Sequence, residues 1–463
     1  MAYLTTDRVP RTLILCFDGT SDAFDDDVTN VVRLFSAFEK EDPHRQLCYY
    51  QPGIGTYLGP NRPWSSTLQR IVKVVDQAFA WYYVTHQRIS DRYAGHVFSS
   101  LPKQVMSGYR FLMQTYIKGD RICMFGFSRG AYTARCLAGM LNKVGLLPRY
   151  NEEHISFAYA KYSDTSAGNE ERAKGFKDSF SIHVDIAFVG VWDTVASCGL
   201  FGRHLPFTAS NHIIRVFRHA LALDERRSKF KPNPWHRNAH SPQAAANDPN
   251  QGTPVVHPLN NGPHRKETAN DFIHFAVQEL KRKRNKETVW SDDREAYDLA
   301  LTNMECDIRE VWFPGCHADV GGGSVKNGTE HCLANASLVW MVNHVISADV
   351  GVIFKRRASG RPLNDNDPRT LSWLTQANEV ADANSDMVDQ LSQRKFWWFL
   401  EIIPLWQHYQ DRNAYWHKGF RLNRGRARDV LDPKPLFHSS VKLREGYIPK
   451  ARVRESEPTY VDF

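Results

Sequence analysis

The stretch that most constrains this chain runs from Arg121 to Gly130, RICMFGFSRG. Ile122, Met124 and Phe125 form an apolar run of strand length. It breaks into Gly126-Phe127-Ser128-Arg129-Gly130, and the next residues place Ala131, Ala134, Leu137, Ala138 and Leu141 at helical spacing. A G-x-S-x-G turn between a strand and a helix is a nucleophile elbow. The turn is tight enough that side chains at Gly126 and Gly130 would meet neighbouring backbone, so both must be glycine. It lifts the Ser128 hydroxyl off the sheet. It also aims the first amides of the helix at the same point, where an oxyanion can develop.

The N-terminal part has the same grammar. TLILCF at Thr12–Phe17 is a continuous apolar run followed by Asp18-Gly19-Thr20, an acidic loop, and helical spacing over 29–38. Ligands of open α/β sheets bind beyond the carboxyl ends of strands. Asp18, Gly19 and Thr20 therefore fall near a site, with an ordinary Asp-capped turn as the competing reading. QLCYYQ at Gln46–Gln51 is a second strand. The Gly-rich loop after it lacks the Lys-Ser/Thr of a phosphate cradle. Helical spacing recurs over 68–83 and 104–117.

Beyond the elbow, 154–162 reads as a helix and 182–192 as a strand ending at Asp193. An acid directly after a buried strand is where a triad acid belongs, because it needs rigid support and burial. A helix N-cap is the alternative. Residues 211–223 have helical spacing, with His212 and His219 read as packing or surface residues. A polar insertion occupies about 232–290. Its histidines His236, His240, His257 and His264 show no metal-ligand spacing. DIREVWF at Asp307–Phe313 is the next strand and runs into PGCHADVGGG. A histidine there, His317, can reach over the sheet edge to the serine. The chain order Ser128, Asp193, His317 is that of α/β-hydrolases.

These placements predict an α/β-hydrolase-like fold, with a mostly parallel central sheet flanked by helices. Residues 1–350 would form the catalytic domain, carrying the insertion. Residues 351–463 would form a C-terminal helical cap or extension packed on it. The chemistry is ester cleavage through an acyl-enzyme. Ser128 attacks, His317 acts as base and then acid, and Asp193 holds the imidazole. The backbone N–H of Arg129 is the first oxyanion donor. Gly19 or Thr20 supplies a second, since their strand should lie beside the elbow strand. Asp18 and Phe127, beside these turns, are assigned to substrate contact. No metal or organic cofactor is required. Thioester, lactone or peptide cleavage by the same triad, or a non-catalytic binding protein retaining the fold, are the competing classes.

Composition narrows the setting. The eight cysteines are scattered without a C-x-x-C pair, which suits a reducing compartment rather than a disulfide framework or zinc site. No apolar run reaches the roughly 18 residues of a membrane span, and 13–17 is too short for a signal-peptide core, so a cytoplasmic protein is expected. The net charge of +8 suits an anionic partner. The one dense basic cluster, 281–284, reads as a solvated helix face, and no nucleic-acid motif is present. KFWWFLEIIPLW at 395–406 is the most apolar stretch. It reads as a buried segment, or as a cover over an apolar substrate or a peripheral membrane contact. Trp397 and Trp398 would then line an acyl pocket beside the serine. Glu401 within it should face solvent or pair with a cation. The tail over 435–450 reads as polar and strand-poor, and the oligomeric state is unconstrained.

FDGT, GFSRGAYTAR, GVWDTVAS and FPGCHADVGGG together resemble the DUF2235 family. This is the α/β-hydrolase domain also found as the catalytic part of type VI secretion phospholipase effectors. The segment 395–406 and HSSVKLR look like its eukaryotic, largely fungal, branch. The resemblance implies a Ser-Asp-His hydrolase of phospholipase-like type, with the nucleophile on Ser128, the acid on Asp193 and the base on His317. A lipid or other apolar acyl ester is the implied substrate.

Overall fold

β1 (Thr12–Phe17) is buried at every position. Its side chains alternate between two cores, Leu13, Leu15 and Phe17 on one face and Ile14 and Cys16 on the other. A strand covered on both faces reads as a continuous apolar run, the mark of a parallel sheet between two helical layers. The computed structural model describes residues 8–19, 27–53, 100–166, 168–195, 205–235, 288–290, 306–355, 378–402, 405–410, 416–453 and 457–462. The helix predicted over 68–83, the basic cluster at 281–284 and most of the polar insertion lie outside the described residues.

The sheet continues through β2 (Gln46–Gln51), β3 (Arg121–Phe127), β4 (Ile186–Trp192), β5 (Ile214–Ala222), β6 (Asp307–Phe313), β7 (Leu436–His438) and β8 (Thr459–Val461). The eight strands lie in the spatial order β8-β7-β6-β5-β4-β3-β1-β2, and every adjacent pair is parallel. This is an α/β fold of the α/β-hydrolase-like kind. The chain builds outward from β1 to β2, then crosses back to lay β3 on the other side of β1. The crevice above β1 and β3 is therefore a topological switch point, where open α/β sheets bind ligands. Ser128 leaves β3 there. Phe127 pairs with Trp192, so Ser128 and Asp193 emerge side by side from the same sheet edge.

The helices that position the site are α1 (Asn30–Ala37), α2 (Ser100–Thr115), α3 (Ser128–Val144), α4 (His317–Gly321), α5 (Leu333–Ser347) and α6 (Phe396–Ile402). Tyr109 and Leu112 of α2 and Leu137 and Leu141 of α3 fill one core. Val31 and Leu34 of α1 and Leu338 and Met341 of α5 fill the other. Small residues along α3 let it press closely. A Cβ on Gly139 would stand 2.5 Å from Pro206 O. Among the described residues no helix is long and apolar enough to cross a membrane.

Two stretches differ from their sequence pattern. The segment 211–223, with helical spacing, forms strand β5. Both faces of β5 are covered, so the period of two is lost. Even Arg218 and His219 are buried, held by Asp307 and Glu310 at 2.5 and 2.8 Å. The stretch 435–450, read as strand-poor, supplies β7 to the main sheet, and β8 follows it. Strands of three residues are too short to carry a period. Burial of Phe437 against Leu221, Leu223 and Trp312 fixes β7 instead, and Tyr460 of β8 packs on Phe437.

The elbow glycines face the atoms the turn requires. A Cβ on Gly130 would lie 2.2 Å from Phe17 O and 2.4 Å from Asp18 O, backbone that cannot move without displacing β1. Gly175, in the helix Asn169–Phe180, has nothing within 4 Å of such a Cβ. Gly130→Ala is expected to lower stability by about 1–3 kcal/mol. Gly175→Ala should raise it by about 0.5–1 kcal/mol. Urea midpoints of the two variants check this pair of opposite signs.

Candidate active site

Ser128 is the first residue of α3 and has φ of 59°, in the left-handed region. For a residue with a Cβ this costs on the order of 1–3 kcal/mol and persists only where surrounding structure enforces it. Here Gly126 and Gly130 let α3 and the end of β1 close on the turn from both sides. The Ser128 side chain is nearly buried. The backbone N–H of Arg129 lies in the first turn of α3, where amides point out of the helix start rather than along it.

Asp193 follows β4 with φ of 38° and is fully buried. Its backbone N–H donates to Ala220 O at 2.7 Å, which pins the turn to β5. The carboxylate accepts from the Ala222 N–H at 3.0 Å and from His317 Nδ1 at 2.5 Å. Arg428 adds a bidentate pair, Nη1 to Oδ1 at 2.6 Å and Nη2 to Oδ2 at 2.9 Å. Burial by itself would raise this carboxyl, but the Arg428 charge and His317 outweigh it and hold it well below the usual carboxylate range. Arg428 is itself buried, and its Nη1 and Nη2 also reach Ala222 O at 2.8 Å and Phe230 O at 2.5 Å.

His317 opens α4, capped by Cys316 and Asp319. With Nδ1–H donated to Asp193, Nε2 faces Ser128 Oγ at 2.7 Å. The ring lies between Phe127, with centroids 4.6 Å apart, and Phe230, at 4.7 Å edge to face. Burial pulls the imidazole below its ordinary value, and Asp193 restores only part of that. The His317 backbone N–H donates to Glu225 at 3.3 Å, and Glu225 is clamped by Arg227 at 2.7 Å. The Arg227 guanidinium lies 3.6 Å over the Phe230 ring and 4.8 Å over that of Trp397. On the far side of Asp193, the Thr194 N–H donates to His219 Nε2 at 3.0 Å, and His219 Nδ1 to Glu310 at 2.8 Å. That buried pair braces the turn from below.

The structure thus brings Ser128, His317 and Asp193 into one hydrogen-bonded series. Their strands are β3, β4 and β6, with β5 between the last two, so α4 bends back over β5 for His317 to reach the serine. Asp18 is not turned to this series. It is buried and accepts from Tyr50 Oη at 2.7 Å, Thr29 Oγ1 at 2.8 Å and the Gly19 N–H at 2.7 Å. Burial, opposed by those bonds, raises its carboxyl. The Gly19 amide is thereby engaged by Asp18 in this structure, and Thr20 lies outside the described residues. Phe127 packs on the His317 ring. The two tryptophans diverge. Trp397 turns in to Phe230, with centroids 5.7 Å apart, and Trp398 turns out, 41% exposed.

Glu401, expected to meet solvent or pair with a cation, forms no ion pair among the described residues, although its charge reaches Lys231. Glu401 is fully buried and accepts from the Ser228 N–H at 2.6 Å, the Gly425 N–H at 2.8 Å and Asn423 Nδ2 at 2.5 Å. Amide donors take the place of a direct ion pair, because a turn folds around the carboxylate. Sequence reading also passed over Arg428, Phe230 and the Glu225–Arg227 pair. DERRSKF carries the last three and is dense in charge just after a strand, a usable signal. Arg428 sits in an ordinary basic run and has none. Among the described residues no cluster of His, Cys, Asp and Glu could hold a metal ion.

A family model described as "T6SS, Phospholipase effector Tle1-like, catalytic domain" matches residues 11–344. The chain is 28% identical over 576 residues to the uncharacterized protein YEL023C of Saccharomyces cerevisiae, covering 97% of this chain and 81% of that one. Among solved structures, an uncharacterized protein from Pseudomonas aeruginosa aligns at 16% identity and a TM-score of 0.35, over 85% of this chain and 51% of that one. The chain thus spans about half the length of that protein. The Tle1 effector bound to the VgrG spike of the type 6 secretion system aligns at 14% identity and a TM-score of 0.27, over 89% of this chain and 91% of that one.

Arg428→Met would leave Asp193 charged and buried without its main counter-charge. It is expected to destabilise the protein by about 3–5 kcal/mol, read from chemical denaturation. In the wild type, the His317 ring is expected to titrate below the ordinary histidine value of about 6.5. The pH dependence of its ring-proton chemical shifts measures this, and titration above that value would contradict a ring desolvated between Phe127 and Phe230.

Proposed function

This chain belongs to the family of type VI secretion phospholipase effector Tle1-like catalytic domains, and on that premise we propose that it is a serine hydrolase of lipid carboxylic esters. The family is one of phospholipase-type hydrolases. The observation that carries the finer reading is the series Ser128 Oγ, His317 Nε2 at 2.7 Å, and His317 Nδ1 to Asp193 at 2.5 Å, standing at the switch point of the sheet.

A serine hydroxyl is a poor nucleophile at neutral pH. With Asp193 accepting from Nδ1–H, the lone pair on His317 Nε2 takes the Ser128 proton as Oγ bonds the ester carbon. The carbonyl oxygen becomes an oxyanion, for which the Arg129 N–H is the proposed donor. When the tetrahedral species collapses, the bond to the leaving alcohol breaks and that alcohol takes the proton from Nε2. Water then repeats the cycle on the acyl-enzyme and frees the acid and Ser128. Phe127 and Trp397 are the proposed apolar contacts for the acyl chain. No step calls on a cofactor.

Arg428 is a positioning residue in this scheme. By sharing the Asp193 charge it keeps the carboxylate ionised and oriented, while limiting how strongly Asp193 favours the imidazolium. The base then stays neutral, and so competent, to lower pH than an ordinary histidine would.

Labelling with a fluorophosphonate probe tests the reading. The wild type should be labelled and Ser128→Ala should not. Ser128→Ala and His317→Ala should each abolish ester turnover, and the double variant should lose little more than either, because such residues act as a unit. Additive losses would contradict a coupled series. The acidic limb of kcat/KM reports the free base, which must be deprotonated, so activity should rise with pH through a midpoint below about 6.5. In Arg428→Met the positive neighbour is gone, the imidazolium is favoured, and that midpoint should move to higher pH.

A further inference from the structure

α6 presents two different faces. Leu400 and Glu401 are buried, whereas Trp398, Phe399 and Ile402 are 41%, 48% and 63% exposed. Positions 398, 399 and 402 share one side of the helix. The turn that wraps Glu401 lies against this side. Its Arg424 N–H donates to Glu401 O at 3.0 Å. A Cβ on Gly425 would stand 3.0 Å from the Trp398 ring. The same turn exposes Leu422, together with Arg421, Arg424 and Arg426. Arg394 and Lys395 are exposed just ahead of α6. Among the described residues, Glu401 is buried at this face, and Asp429 pairs with Arg426 at 3.3 Å and Arg452 at 3.0 Å.

We propose that this face, large apolar side chains flanked by arginines and a lysine, docks the protein on the surface of an anionic lipid bilayer. Charge complementarity selects that occupant. A cationic flank is drawn to acidic headgroups, and a short helix with a tryptophan and a phenylalanine on one side lies in the interfacial plane rather than across it. The face is also coupled to the site. Glu401 joins the turn to Ser228, and Trp397, the inward neighbour of Trp398, reaches His317 through Phe230. Docking would therefore bring the site to where lipid esters are. That consequence rests on the function proposed above, whereas the binding itself does not.

The test is co-sedimentation of the full chain with phosphatidylcholine vesicles, with and without phosphatidylserine, using the Ser128→Ala protein so that hydrolysis plays no part. Binding is expected only with phosphatidylserine, and it should fall as salt is added. Phe399→Ser with Ile402→Asn, and separately Arg424→Glu with Arg426→Glu, should each weaken it by roughly tenfold or more. Both variants, in the Ser128 background, should keep wild-type melting and wild-type turnover of a short soluble ester. Absent binding, binding indifferent to phosphatidylserine, or undiminished binding by both variants would overturn the proposal. So would a concentration-dependent dimer broken by the same substitutions, which would assign the face to a second copy of the chain. A protein that docks but turns over no ester would leave this inference standing and remove the functional one.

Discussion

The charge on Asp193 is the constraint that much of this structure answers. A carboxylate in the interior is tolerable only when its oxygens are filled by donors and its charge is met. Asp193 meets both conditions with groups from distant parts of the chain, namely the Ala222 amide, the His317 ring and the Arg428 guanidinium. Arg428 in turn needs acceptors, and finds them in Ala222 O and Phe230 O. One buried charge thus ties the carboxyl ends of β4 and β5, the turn after Arg227 and the C-terminal segment into one body. Removing the guanidinium would undo more than an ion pair, since those two carbonyls would lose their donors as well.

Around that centre the packing is close and aromatic. Phe127 and Phe230 hold the His317 ring from two sides, and Arg227 stacks over Phe230 while gripping Glu225, which holds the His317 backbone. Excluding water strengthens each hydrogen bond in the series and lowers the basicity of the imidazole. The same exclusion makes the site intolerant of error. A buried donor or acceptor left without a partner costs more than the bond it lost. The His219–Glu310 pair under Thr194 follows this logic one layer deeper.

The fold around the site was legible wherever a local pattern survived. The elbow, the apolar runs of β1, β3, β4 and β6, and the side-by-side placement of β1 and β3 follow from strand-length runs ending in special turns. β5 was misread because its two covered faces erase alternation and leave a helical coincidence of Ile213, Ile214, Phe217 and Leu221. β7 and β8 were missed because three residues cannot show a period. Glu401 was misjudged because a charge inside an apolar run suggests a cationic partner, whereas the neighbouring turn offers amides.

What the sequence by itself determined is the set of short-range geometries: a turn that only Gly126 and Gly130 permit, an acid directly after a buried strand, and an imidazole on the glycine-bearing turn after a later strand, in a fixed order. Those depend on sterics and periodicity within a few residues, and a single chain displays them. What only the tertiary structure decided is which side chains complete the charges. Arg428 lies 235 positions from Asp193, and no local rule marks it among the other arginines of its segment. The turn inward of Trp397 and outward of Trp398, adjacent residues of like chemistry, is likewise set by what lies on either side of the helix. Burial and ion pairing are properties of the assembled molecule. They depend on the separation of atoms in space, which position along the chain does not encode.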